Sequence, residues 1–328
     1  MSDTTGPALV VTRHGGIDVL VVEDRPEPTP GPGEVLVEVA AAGVNFIDVY
    51  QRQGVYPTPT PFVAGNEGAG TVVVVGEGVQ GVSAGDRVAW ANALGSAARF
   101  AALPASGLVP VPEGVELETA AAVMLQGLTA HYLTTSTYAV GPGDVALVHA
   151  AAGGVGQLLV QMVRARGGSV VATAGGPDKC ETARALGAEQ VIDYRAVDDL
   201  AAEVRHLTEG RGVDVAYDGV GKDTFEASLA SLRARGMLVL FGAASGQVPP
   251  FDIQRLNSGG SLYLTRPSLG HHLATREELL WRAGEVLGAV ADGSLNVAVG
   301  GRHPLAEATR AFADLEGRRT QGKLLLIP

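Results

Sequence analysis

The sequence predicts an α/β protein with two domains: a mainly β, barrel-type domain and a domain built on a doubly wound sheet of six parallel strands. Three observations predict this. Apolar and polar residues alternate between glycine turns up to about residue 90, short apolar runs alternate with helical patterns from Asp144 onwards, and 144–156 has a strand–glycine turn–helix signature.

The first region consists of turn-separated segments that are typical of antiparallel strands. These segments are LVVTRHGGIDVLVVED at 9–24, EVLVEVAAAGV at 34–44, AGTVVVVGEGV at 69–79 and DRVAW at 86–90. Glycine-containing turns at 15–16, 76–78 and 85–86 interrupt the pattern. We therefore expect a partly closed β-barrel.

The rest of the chain alternates between helices and strands. A helical pattern begins near Glu116 and runs through ETAAAVMLQGLTAHYLTTST, with an expected break or bend at Gln126–Gly127. The six parallel strands are predicted at 144–149, 169–173, 189–193, 213–218, 236–241 and 260–265. Helices at about 275–292 and 305–316 follow, and the closing strand KLLLIP again looks like first-domain material. The predicted domains are 1–125 (catalytic, first part), 126–268 (cofactor-binding) and 269–328 (catalytic, C-terminal part).

Composition limits the function. The chain has 328 residues, of which 46% are hydrophobic and 18% charged, as in ordinary soluble globular proteins. Its formal net charge of −11 opposes binding to nucleic acid or anionic membranes and favours an uncharged small-molecule substrate. The single cysteine, Cys180, excludes an intrachain disulfide, and we expect a buried bystander thiol rather than a reactive one. Without a signal-peptide pattern or a long apolar run, a cytoplasmic location is expected.

The stretch DVALVHAAAGGVG at 144–156 predicts a dinucleotide site. Ala151, Gly153 and Gly156 occupy the positions of the G-x-G-x-x-G pattern, with alanine at the first. Gly153 allows close approach of a pyrophosphate, Gly156 allows close helix–strand packing, and the helix N-terminus offers free N–H groups. The alternative is a glycine-rich turn that binds nothing.

The next strand indicates which nucleotide is bound. NAD sites of this type place an acid about 20 residues after the glycine turn, but SVVATAGG ends at Gly175–Gly176 without one. Lys179 follows and offers a charge to a 2′-phosphate. NADPH is therefore predicted as the cofactor, although Lys179 could instead be a solvated lysine on a helix surface.

Five motifs in order carry a family resemblance: GVNFIDVY at 43–50, AGNEGAG at 64–70, LQGLTA at 125–130, HAAAGGVG at 149–156 and TRPSL at 265–269. Together they resemble the medium-chain dehydrogenase/reductase superfamily, and more closely its zinc-independent quinone oxidoreductases, the zeta-crystallin-like group. The resemblance covers essentially the whole chain. It implies a GroES-like catalytic domain, a Rossmann cofactor domain and a homodimer, for which GSLYLTR at 260–266 would be an exposed sheet edge.

Departures from the zinc alcohol dehydrogenase pattern indicate the chemistry. Asn45 stands where those relatives carry a zinc-binding cysteine, and Asn66, beside Glu67, stands where they carry a histidine. The cysteine-free segment 92–106 is too short for their structural-zinc lobe. Because amides are poor zinc ligands, no catalytic metal is expected. The remaining chemistry is hydride transfer to an acceptor that is already electrophilic, such as a quinone or an activated alkene.

The resemblance also implies site residues. On the acceptor side these are Asn45, Tyr50, Tyr56 and Gln126, of which Asn45 also touches the nicotinamide. The implied cofactor contacts are Thr129, Gly153, Gly154, Val155, Gly156, Gly175, Lys179, Tyr194, Val220, Phe241, Gly242 and Arg318.

Several alternatives remain open from the sequence. Asn45 could be a turn-stabilising amide, and Asp48 and Glu67 could form a catalytic acid pair, although a buried structural role is favoured. His149 is expected to be a packed histidine. For the function, an NADPH-dependent alkenal or enone double-bond reductase is the nearest alternative to a quinone reductase. A second is an NADPH-binding structural or sensing protein with little turnover.

Overall fold

The structure is a computed structural model that describes residues 4–328. The described residues form two compact units: unit 1 comprises residues 4–128 and Leu273–Pro328, and unit 2 comprises Thr129–His272. The predicted domain boundaries were 125/126 and 268/269. Among the described residues, no helix is both long enough and apolar enough to cross a membrane.

The first part of unit 1 is mainly β-structure. Its elements are β1 (Thr5–Val11), β2 (Leu20–Pro26), β3 (Glu34–Val44), α1 (Phe46–Arg52), β4 (Phe62–Val63), β5 (Glu67–Val75), β6 (Arg87–Ala91), β7 (Phe100–Pro104), β8 (Val109–Pro110) and α2 (Leu117–Tyr132), whose last turn enters unit 2. Most of these strands pair antiparallel, as the alternating pattern predicts. Their inward side chains, including Leu9, Val37 and Trp90, form one apolar core.

Unit 2 contains the predicted six-stranded parallel sheet. Its elements are β9 (Val145–Val148), α3 (Gly154–Ala165), β10 (Ser169–Ala174), α4 (Pro177–Ala185), β11 (Gln190–Asp193), α5 (Leu200–Leu207), β12 (Val213–Asp218), α6 (Phe225–Ser231), β13 (Leu232–Leu240), α7 (Gln254–Ser258) and β14 (Tyr263–Thr265). The strand order is β11-β10-β9-β12-β13-β14, and every pair is parallel. The order reverses between β9 and β12, which is where ligands of doubly wound sheets bind.

The C-terminal segment returns to unit 1. It adds α8 (Arg276–Ala291), β15 (Val299–Pro304), α9 (Ala308–Glu316) and β16 (Lys323–Ile327). Strand β16 pairs antiparallel with β3 and parallel with β15, so both ends of the chain build one sheet of order β15-β16-β3-β5-β6-β8, with β7 also paired to β3. The buried guanidinium of Arg52 ties α1 to α9 through two hydrogen bonds to Glu316, of 2.8 and 3.0 Å.

Helix α2 continues through Gln126 and Gly127, so of the predicted break or bend at these residues the break is wrong. Gly127 serves packing instead. A Cβ at this position would lie 2.7 Å from Cγ1 of Val286 on α8, so the glycine lets the two helices approach closely. Helix propensity alone does not reveal this use of glycine.

Candidate active site

The glycine turn of unit 2 presents backbone N–H groups at the end of β9. Gly153 is extended (φ −80°, ψ 170°), and the first intrahelical bond of α3 runs from Gln157 N to Gly153 O, 2.9 Å. The N–H groups of residues 154–156 therefore precede the helical hydrogen-bond ladder, as an anion site at a helix N-terminus requires. A Cβ on Gly156 would overlap the carbonyl oxygen of Ala150, so this turn accepts only glycine there.

A series of buried, hydrogen-bonded side chains begins at His149, directly before the glycine turn. In the His149 ring, Nδ1 lies 3.0 Å from the Thr173 hydroxyl oxygen and Nε2 lies 2.8 Å from the Ser228 hydroxyl oxygen. Ser228 in turn donates to Asp218 at 2.7 Å, and Asp218 accepts the N–H of Val220 at 2.9 Å. Burial lowers the pKa of His149, so the ring is neutral near pH 7. His149 is thus the packed histidine that the sequence predicts.

Three predicted nucleotide contacts come together where β10 and β11 end. A Cβ on Gly175 would lie 2.5 Å from the Tyr194 hydroxyl, so the tyrosine occupies the space that this glycine leaves. Lys179 lies on the first turn of α4, half-buried. Burial and the nearby Arg195 guanidinium both lower the pKa of the Lys179 ammonium. Lys179 and Arg195 therefore place two cations near the ends of these neighbouring strands.

Arg195 was not among the predicted residues. Its Nη1 lies 3.3 Å from the place of a Cβ on Gly176. The available signal was a cation two residues after the end of β11, because neighbouring parallel strands end at the same sheet edge.

A carboxylate also lies at this edge. Asp193, the last residue of β11, accepts the N–H of Gly176 and of Arg195, both at 3.0 Å, and these hydrogen bonds lower the pKa of its carboxyl. The sequence predicts the position of a nucleotide-binding acid only after β10. In the structure, one oxygen of Asp193 binds both the loop after β10, through Gly176, and the loop after β11, through Arg195.

The other predicted cofactor residues of unit 2 lie at the ends of β12 and β13. The backbone N–H of Phe241 donates to Asp218 O at 2.9 Å, and that of Gly242 donates to the same oxygen at 3.3 Å. Val220 O accepts from Ser245 N at 2.8 Å. Val220, Phe241 and Gly242 therefore belong to one pair of hydrogen-bonded loops. Thr129 is buried on the last turn of α2.

In unit 1, a buried hydrogen-bond network surrounds Asn45. The Asn45 amide donates from Nδ2 to Glu67 Oε1 at 2.7 Å, and its Oδ1 accepts from Lys323 Nζ at 2.7 Å and from Gln126 Nε2 at 3.3 Å. Lys323 also forms an ion pair with Glu67. Glu67 Oε2 accepts the backbone N–H of Leu125 at 2.6 Å. The network therefore connects β3, β5, α2 and β16.

Asp48 extends this network along α1. Its carboxylate accepts the Asn45 backbone N–H at 2.8 Å and the Asn66 amide at 2.6 Å, and Asn66 also donates to Gln51 at 2.6 Å. Burial raises the pKa of Asp48 to about 6, and burial lowers the pKa of Lys323 to about 7. Because Asp48 is used in capping α1, the geometry favours the structural role over the acid pair.

The remaining predicted residues of unit 1 are Tyr50, Tyr56 and Arg318. Tyr50 and Tyr56 pack edge to face, with ring centroids 5.4 Å apart at 70°, and Tyr56 is 37% exposed. Arg318 is exposed just after α9 and has a left-handed backbone (φ 55°).

Lys323 is the residue of the network that the sequence analysis missed. The signal was a lone lysine directly before four apolar residues of the closing strand. Such a lysine is easily taken for a strand-end charge, and only the fold shows it to be fully buried, at 1% exposure.

The donor set around Asn45 does not fit zinc. Asn45 and Asn66 supply amides, and the Glu67 carboxylate is already paired with an ammonium group. Zinc in proteins takes thiolate, imidazole or free carboxylate, and a cation within the cluster repels it. Within residues 4–328, no group of three His, Cys, Asp or Glu side chains is placed to hold a metal ion.

Comparison with known proteins identifies the class. Residues 31–113 match the family described as alcohol dehydrogenase GroES-like domain, and residues 154–279 match the family described as zinc-binding dehydrogenase. The chain belongs to the medium-chain dehydrogenase/reductase superfamily, in the group of the quinone oxidoreductases. The predicted GroES-like and Rossmann architecture is thereby confirmed.

Individual relatives are similar over nearly the full length. A quinone oxidoreductase of Pseudomonas aeruginosa is 44% identical, over 96% of this chain and 97% of its own. A 2-haloacrylate reductase of a Burkholderia species is 41% identical, over 98% of both chains. The solved structure of mycobacterial Rv1454c in complex with NADPH has a TM-score of 0.95 at 51% identity, covering 98% of this chain and 100% of its own. The protein is thus an oxidoreductase.

Proposed function

We propose that the protein is an NADPH-dependent quinone reductase that transfers hydride to a quinone without a metal ion. The observation that carries the metal-free chemistry is the Asn45–Glu67–Lys323 cluster. In it the Lys323 ammonium group binds Asn45, the residue that stands in place of a zinc-binding cysteine, and also binds Glu67. The quinone is supported by the Pseudomonas aeruginosa relative. NADPH as cofactor agrees with the Rv1454c complex.

Unit 2 contains the groups that fit NADPH. The N–H groups of residues 154–156 would bind the pyrophosphate, and Lys179 and Arg195 would pair with the 2′-phosphate beside Gly175 and Tyr194. The loops at the ends of β12 and β13 would contact the nicotinamide through the residues Val220, Phe241 and Gly242. The remaining proposed contacts are Thr129 of unit 2 and Arg318, which belongs to unit 1.

Bound NADPH supplies the hydride, and the protein supplies orientation and exclusion of water. We assign the orientation of the acceptor to Asn45 and Gln126, with Tyr50 and Tyr56 as apolar walls that also present hydroxyl groups. Holding two reacting carbons about 3 to 3.5 Å apart provides much of the rate in such a reaction. The hydroquinone anion can take its proton from water, so the assignment requires no strong acid among these residues.

The second candidate is reduction of an activated carbon–carbon double bond, favoured by the Burkholderia 2-haloacrylate reductase. Steady-state NADPH oxidation with 1,4-naphthoquinone and with 2-chloroacrylate, at equal protein concentration, separates the two. We expect kcat/KM to be higher for the quinone. No turnover of the quinone beside efficient turnover of 2-chloroacrylate would establish the second candidate instead.

We further propose that the protein acts in the cytoplasm as a homodimer that pairs through β14. This strand is an edge of the six-stranded sheet, and its Tyr263 side chain is 57% exposed. An unpaired edge strand with an exposed aromatic residue is suited to pairing with a symmetry mate. Light scattering coupled to gel filtration should give twice the monomer mass, and Tyr263→Lys should lower it. A monomeric wild-type protein would contradict this assembly.

A further inference from the structure

We propose that Lys323 is a positioning residue: its buried ammonium group fixes the orientation of the Asn45 amide and, through Asn45, that of Gln126. The inference rests on the proposed function, which places Asn45 and Gln126 beside the acceptor. Lys323 begins β16 and reaches two groups, Asn45 Oδ1 at 2.7 Å and the Glu67 carboxylate.

Charges on both sides give the Asn45 amide one orientation. Oδ1 faces the Lys323 ammonium, and Nδ2 faces Glu67 Oε1 at 2.7 Å and the Gly43 carbonyl oxygen at 3.4 Å. A flipped amide would place its NH2 group against the ammonium and its oxygen against the carboxylate and the carbonyl. Both contacts would be repulsive in a site from which water is excluded.

The orientation of the Asn45 amide determines that of the Gln126 amide. Since Asn45 Oδ1 can only accept, Gln126 turns its NH2 group towards it, at 3.3 Å. The Oε1 end of Gln126 is consequently the end that remains for a donor on a ligand. Without Lys323, the amide oxygen of Asn45 would lose its cationic donor, and both amides could rotate.

The glycine at position 43 of β3 leaves space for the Lys323 side chain. A Cβ on Gly43 would overlap Glu67 Oε1 and lie 2.6 Å from the Lys323 Cε atom. Strand β3 therefore carries a glycine where the ion pair packs against it. Asp48 is the other ionisable group that acts on Lys323, and it lies beyond the Asn45 backbone.

The test compares Lys323→Met with Arg310→Met. Both variants remove one positive charge, but Arg310 lies on α9 in an exposed pair with Glu307 and does not contact the network. The measurements are made at pH 6, below the Lys323 pKa of about 7, so that the ammonium group is protonated. They are thermal unfolding, NADPH affinity by fluorescence, kcat and KM for 1,4-naphthoquinone, and the isotope effect on kcat with NADPH deuterated at the transferred position.

For folded Lys323→Met we expect kcat to fall about tenfold or more, since small misplacements of reacting groups cost up to about 100-fold. NADPH affinity should stay within about twofold of the wild type, because a rearranged acceptor site leaves the nucleotide contacts of unit 2 in place. The isotope effect should rise as hydride transfer becomes slower. Arg310→Met should match the wild type. An unchanged kcat and isotope effect in folded Lys323→Met would overturn the inference.

A second pair of variants covers the case in which Lys323→Met does not fold. Lys323→Met would leave the buried Glu67 carboxylate unpaired, and Glu67→Gln removes that carboxylate. The single variant Glu67→Gln is therefore compared with the double variant Glu67→Gln/Lys323→Met. A further loss of kcat in the double variant supports the positioning role, whereas equal kcat values mean that Lys323 only balances the Glu67 charge and overturn it. If the wild type reduces 2-chloroacrylate but not the quinone, the proposed function fails, and the same kcat ratios with 2-chloroacrylate still decide the role of Lys323.

Discussion

Removing Lys179 or Arg195 should weaken NADPH binding and leave NADH binding nearly unchanged. The two cations lie close enough for Arg195 to lower the pKa of Lys179, so their charges repel each other. We expect a 2′-phosphate to relieve this repulsion and to accept hydrogen bonds from both. A hydrogen bond to a charged group contributes about 1.5–3 kcal/mol, which corresponds to roughly a 10- to 150-fold weaker Kd for each alanine variant.

The assay is a fluorescence titration of each variant with NADPH and NADH at one ionic strength, because salt screens these contacts. Arg184→Ala is the matched control. It removes the same charge from the same helix, but Arg184 is exposed and lies 3.6 Å from Glu181 in a surface pair. We expect less than about a twofold change for this control. Equal losses of NADPH and NADH affinity in Lys179→Ala would refute the 2′-phosphate assignment.

Three further predictions follow from the packing and the charges. Gly156→Val should abolish NADPH binding, because its side chain would overlap the Ala150 carbonyl oxygen; retained affinity would contradict this turn geometry. Glu316→Gln should lower the free energy of unfolding in urea by about 3 kcal/mol, since it removes the charge opposite the buried Arg52 guanidinium, and no loss would contradict the pairing. Burial lowers the pKa of Lys323 from 10.5 to about 7. Between these pH values the unfolded state binds more protons than the folded state, so the free energy of unfolding should rise with pH in this range. Lys323→Met should remove this rise, and an unchanged slope would assign it to another group.

The sheet of unit 2 could be predicted because buried parallel strands appear in sequence as short apolar runs between helices. The predicted strand 213–218 coincides with β12, and that at 169–173 differs from β10 only by Ala174. The apolar segment KLLLIP also predicted the return of the chain to the first domain. In the structure this segment forms β16, which pairs with β3.

The polar network of unit 1 could be predicted only in part. Asn45, Asp48 and Glu67 stood out as polar residues within apolar segments, and buried polar groups need partners. The identity of the partner was not predictable, because Lys323 is 256 residues from Glu67 along the chain. Local patterns contain no information on such a pairing, and the same holds for Gly127, whose neighbour Val286 lies on another helix.

The central claim is metal-independent hydride transfer from NADPH to a quinone. The most direct test is a single turnover in which protein freed of metal ions by chelator and loaded with NADPH is mixed rapidly with 1,4-naphthoquinone. The account predicts stoichiometric loss of NADPH fluorescence, with the same rate before and after chelator treatment. A reaction that stops after chelation and returns on addition of Zn²⁺ would contradict it.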